Sequence, residues 1–103
     1  MDIRELQKLY GGLGQFSLSK RFLYDAPPGV IQAIMFGLIV ISAEHYWEGD
    51  RIMYRGFHPD FKEIEIGAMA PEYDAVVHQE PAVNDPEIIH YRVEWVPAYG
   101  HQN

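Results

Sequence analysis

Ile3, Leu6, Leu9 and Tyr10 recur at helical spacing while Arg4, Glu5 and Lys8 fall off that stripe, so residues 2–10 predict a short amphipathic helix that Gly11 and Gly12 terminate. No charged residue interrupts Gly29 to Ala43, and Gly37 divides that run by its period. Ahead of it, Val30, Ile31, Ile34 and Met35 keep helical spacing after the Pro27-Pro28 pair, which predicts a helix over about 28–36. Behind it, Leu38-Ile39-Val40-Ile41 is dense and β-branched, the pattern of a buried strand. Gly37 is therefore expected at a helix C-terminus with positive φ, where a Cβ is strained. Between the two helices, Gly11 to Gln15 reads as a loop and Phe16 to Tyr24 as a turn or two of helix capped by Ser17 or Ser19.

Further along, the period is two. Trp47-Glu48-Gly49-Asp50 lies between β-prone runs, and with Glu48 and Gly49 as loop residues it predicts a hairpin that sets His45 opposite Ile52, Glu44 opposite Met53 and Ala43 opposite Tyr54. That register places Glu44 diagonally between Arg51 and Arg55 as a cross-strand charge cluster. Pro59 ends the hairpin, since proline cannot donate to a ladder, and residues 62–71 read as an irregular connection. Tyr73 to His78 and Ile88 to Val96 both alternate, with Tyr73, Ala75 and Val77 matched to Ile89, Tyr91, Val93 and Trp95, which predicts an antiparallel pair that can set His78 against His90. Gln79 to Glu87 between them, with two prolines, is expected as an exposed loop, and Pro97 onward as a tail. The sum is one α+β domain over 1–103: two or three short helices on a sheet of about four antiparallel strands.

Length and composition narrow the function. A chain of 103 residues buries roughly 60 to 70% of its unfolded surface and needs no staple to do so. It has no cysteine, which removes disulfides, thiolate metal sites and cysteine nucleophiles. The uncharged run falls short of the ~20 residues a membrane span needs, and the start lacks the shape of a signal peptide, so the expected place is the cytoplasm. Charge is uneven. Residues 1–25 carry four cations against three anions, whereas 26–103 carry four against twelve, within a net charge of −7. Such a surface repels phosphate backbones, so general nucleic-acid binding is disfavoured, and it favours a basic partner protein instead.

Two segments carry candidate chemistry. Gly11, Gly12, Gly14, Ser17, Ser19, Lys20 and Arg21 offer amides, hydroxyls and cations that could cradle a phosphorylated ligand such as a nucleotide, although the spacing matches neither known phosphate-loop pattern and helix-ending glycines explain the same residues. His58 and Asp60 offer a histidine with an orienting carboxylate, the minimum for a general base, against a plain turn residue before Pro59. His78 and His90 supply two ligands at most, so no metal site is assigned, and no cofactor. The aromatic residues, Tyr46 and Trp47 among them, exceed what one small core must bury; with Glu80 and Asp85 in the 79–87 loop they form the expected partner-binding surface.

Gly37 to Ala43, then Tyr54-Arg-Gly-Phe-His-Pro-Asp-Phe61, Ile66-Gly67 and Pro71-Glu-Tyr73 resemble small bacteriophage accessory proteins. The resemblance covers about a third of the chain and carries no active site with it. It implies a compact acidic protein that blocks a host enzyme or captures a host signal, in the host cytoplasm. The expected function is thus a non-enzymatic binding or inhibitor module for a host protein, with homodimerisation as one form it takes. A small-ligand binder at 11–21 that sequesters an anionic nucleotide comes next, and an enzyme using His58 and Asp60 last.

Overall fold

The structure is a computed structural model that describes residues 2–85 and 87–98. Helix α1, Ile3–Tyr10, opens where the Asp2 carboxylate accepts the Glu5 amide at 3.1 Å, and closes at Gly11, whose φ is 101°. Strand β1, Gly12–Ser19, follows without a loop, and this corrects the reading of 11–19 as loop and helix. Its glycines belong to the strand because the packing leaves no room for a side chain. A Cβ on Gly12 would meet the Lys62 carbonyl, and one on Gly14 the rings of Phe61 and Tyr73. Gly14, Phe16 and Leu18 then point inward in alternation.

Ser19 accepts the Phe22 amide at 3.0 Å and so caps a short helix, α2, Lys20–Asp25. Helix α3, Pro28–Met35, has proline in its first turn and ends at Phe36 and Gly37, with Gly37 at φ 83° as the change of period predicts. Strands β2, Ile39–Tyr46, and β3, Arg51–His58, form the expected hairpin, with Gly49 at φ 75° and the predicted register from His45↔Ile52 to Ala43↔Tyr54. A bulge between Val40 and Ser42 then shifts the pairing. Among the described residues Glu44 joins neither arginine in an ion pair, and Arg55 donates to the Gln15 side chain at 3.3 Å.

Strands β4, Tyr73–Pro81, and β5, Ile89–Pro97, pair antiparallel on the predicted faces, with longer arms than the sequence suggests. The Ala82 amide bonds the Ile88 carbonyl at 2.8 Å, so Glu80 lies within a strand and the connection shrinks to 82–88. Pro97 pairs with Tyr73, and the Ala98 amide bonds the Glu72 carbonyl at 3.0 Å, so the expected tail begins no earlier than 99; residues 99–103 lie outside those described.

The architecture is α+β, with three short helices and five strands among the described residues, the strands in two antiparallel sheets ordered β1-β3-β2 and β4-β5. The core joins the inner face of the first sheet to the second sheet under α3: Phe16, Leu18, Val30, Ile34, Phe61, Tyr73 and Trp95. Aromatic contacts knit it, Phe61 stacking on Tyr73 at 4.3 Å and Phe16 meeting Trp95 at 4.8 Å. The strand order also corrects the placement of β2. It lies at the edge of its sheet, and Ile39, Val40 and Ile41, which read as buried, are 45%, 44% and 53% exposed.

Candidate functional site

Where α3 ends, its last residues, the turn after β3 and the middle of β5 enclose a cleft of about 460 Å³. Phe36, Tyr91 and Trp95 supply its aromatic walls, His58 its floor, and Asp60 and Arg92 its charges. Each wall has a local cause. Phe36 is the α3 C-cap, and Val30 and Ile34 turn inward on the other side of the helix, so Phe36 projects outward and is 82% exposed. Gly29 lets the Tyr91 ring lie under the start of α3, since a Cβ there would come within 3.0 Å of it. Trp95 is held by Phe16, Phe61 and His58 at ring distances of 4.8 to 5.7 Å.

His58 is part of the frame. Its Nδ1 accepts the Asp60 amide at 2.9 Å, and the Phe36 backbone lies close enough to the ring to favour its charged form. Burial lowers its pKa below the ordinary histidine value, outweighing the Asp60 carboxylate 4.0 Å away and the Phe36 backbone, both of which favour the charged form. With Nδ1 accepting that amide, the lone pair a general base would use is already engaged. The expected His58 and Asp60 pair therefore forms a turn that latches β3 to α3, and this geometry does not supply an acid–base pair. What remains at the rim is Arg92, bound to Glu80 at 3.3 Å, and the exposed Asp60 carboxylate.

The residues expected to cradle a phosphate do not converge. Gly11 and Gly12 give their amides to the carbonyls of Gln7 and Phe61, Gly14 is packed against aromatic rings, and Ser19 caps α2. Ser17 is half-buried within β1, Lys20 faces Asp50 at 3.7 Å, and Arg21 faces Asp25 at 3.5 Å. Register also corrects the histidine pair: His78 lies opposite Arg92 and bonds Glu94 at 3.0 Å, while His90 lies opposite Glu80. Among the described residues no group of three or more histidines and carboxylates is gathered as a metal site.

Of the expected partner-binding residues, Tyr46 and Trp47 stand exposed at the tip of the β2–β3 hairpin, Trp47 at 85%. Glu80 is engaged with Arg92, and Asp85 accepts the Glu87 amide at 3.0 Å in the 82–88 connection. Sequence reasoning missed Phe36, and a signal for it existed: it is a large apolar residue on the face of α3 opposite Val30 and Ile34. Comparison with protein-family models, with curated proteins and with solved structures returns no match to this chain.

Proposed function

We propose that this protein is a non-catalytic binding module that seats an apolar or aromatic side chain of a basic partner protein in the cleft at the end of α3. The observation that carries this reading is Phe36, a large aromatic residue 82% exposed on the lip of a cleft whose one histidine is bound into the frame. Exposed aromatic residues around a pocket are the usual anchors of protein interfaces, and a cleft of this size takes one or two side chains. Arg92 and Asp60 at the rim supply polar contacts that fix orientation, and the acidic balance of residues 26–103 draws a basic partner in. Among the described residues no helix is long and apolar enough to cross a membrane, which fits action on a partner in the cytoplasm. A phage origin would make that partner a host enzyme or receptor and the module its inhibitor.

The test is retention of a partner from a lysate of the native cell by the parent chain and by Phe36→Asp. Because Phe36 is exposed, the variant should melt with the parent. A partner kept by the parent and lost by Phe36→Asp supports the reading. An identical retained set for both proteins, with both folded, would overturn it.

A further inference from the structure

Strand β2 presents an unpaired edge. In the three-stranded sheet the opposite edge, β1, is covered: the Gly12 amide bonds the Phe61 carbonyl, the Gln15 amide bonds the Pro71 carbonyl at 2.9 Å, and Gln15 bridges to Glu72. On β2, no backbone bond reaches out beyond β3 among the described residues. Apart from the bulge at Val40–Ser42, its sequence carries few of the features that keep edges apart. From Ile39 to Tyr46 there is no proline and no lysine, and the one charge is Glu44. The second sheet differs, with Asp74 and Glu80 on β4 and Arg92 and Glu94 on β5.

Exposed apolar groups flank this edge on both faces. Register puts Val40 on the inner side with Gly56, and Ile39 and Tyr46 on the outer side with Phe57 and Arg51, while Ile41 stands at the bulge. A flat partner would cover one face only, whereas an added strand with its own sheet covers the edge and continues both faces. We infer that the occupant is β2 of a second copy, paired antiparallel about a two-fold axis to give a six-stranded sheet.

Charge and area both fit a second copy. Leu38 to Ala43 is uncharged in a chain of net charge −7, so this strip offers a basic partner no charge to pair with and two acidic copies their least repulsive contact. A pairing centred on Ile41 sets Ile39 opposite the other copy's Ala43, and Glu44 opposite its Leu38, so like charges never meet. Ile39, Val40, Ile41 and Tyr46 expose on the order of 350 Å², just under half of the ~800 Å² each partner contributes to a standard interface, and the strand backbone and neighbouring residues add to it. Because β1 is covered, the sheet has one edge to offer, and the assembly closes as a dimer.

Sedimentation equilibrium of the full chain tests this at about 0.05 M and about 0.5 M salt, where screening of the net charge differs several-fold. A dimer is expected, tighter at the higher salt, and weakened ~tenfold or more by Ile41→Lys, which puts a charge on the edge. The native chain has no cysteine, so single cysteines report the geometry in a folded background. Ile41→Cys should oxidise to a covalent dimer, whereas Val83→Cys, fully exposed in the 82–88 connection, should not. A monomer at every concentration and salt would overturn the inference and leave the edge to a different chain. So would a dimer unmoved by Ile41→Lys, or equal cross-linking at both cysteines.

Discussion

His58 is among the most constrained polar side chains of the molecule, and its constraint predicts a pH dependence. It is buried between Phe61 and Trp95, with ring centroids 5.3 and 5.7 Å away, and it accepts the Asp60 amide through Nδ1. Charging the ring would place a cation among aromatic neighbours and remove that acceptor, so burial holds the folded-state pKa below the unfolded one. Between those two values the unfolded chain binds the extra proton. The contribution of neutral His58 to stability is therefore complete above about pH 6.5 and is lost as pH falls through that value toward the folded pKa. Urea midpoints measured from about pH 8 down to about pH 5 should fall for the parent. His58→Gln, less stable throughout, should show a flatter profile. Parallel profiles for the two proteins would assign the acid sensitivity to other groups.

At the scale of elements, what the sequence disclosed and what it hid have the same cause. Gly37 was legible because a change of period and a required positive φ are both local properties, and so was the register above the hairpin turn. Strand β1 was not legible, because Gly12 and Gly14 look like loop residues until Phe61, Lys62 and Tyr73 occupy the space their side chains would need. The exposure of β2 is hidden for a related reason: a β-branched run shows a strand but not its position in the sheet order. The cleft was only half legible, His58 and Asp60 being adjacent in sequence whereas Phe36 and Arg92 arrive from other elements.

Helix α1 hides another such feature. Its buried residue is Gln7, 2% exposed, a polar residue that shares the inward face with Ile3 and Leu6. The Gln7 side chain accepts the Ile64 amide at 2.8 Å and donates to the Ile64 carbonyl at 2.9 Å, acting on the irregular 62–71 segment as a strand would. Gln15 repeats the device by donating to the Ala70 carbonyl at 3.0 Å. Gln7→Leu keeps the volume and strands both backbone groups, so it should cost about 1–3 kcal/mol. Hydrogen exchange at the Ile64 amide should rise with it. An unchanged melting temperature would mean that water replaces the side chain at no loss.

For the whole molecule, the distribution of charge makes the two proposed contacts respond oppositely to one perturbation. The β2 edge is uncharged and joins like-charged copies, so any loss of negative charge elsewhere eases its pairing. A basic partner at the cleft is drawn in by that same negative charge, so its association slows when charge is lost. Asp85→Lys is the cleanest change, because Asp85 is exposed and, among the described residues, its side chain makes one hydrogen bond, a local one from the Glu87 amide. Glu80→Lys adds a direct effect, since it also breaks the 3.3 Å pair that holds Arg92 at the cleft rim. Asp85→Lys should thus tighten self-association slightly and lower the association rate with the partner, while Glu80→Lys should also speed partner dissociation. Added salt should act like Asp85→Lys on both equilibria, because screening and charge reversal weaken the same field. The measurement is paired: sedimentation for the dimer and surface-captured kinetics for the partner. Both contacts moving in the same direction would mean that the substitution acts through the fold, and the acidic surface would then have no steering role.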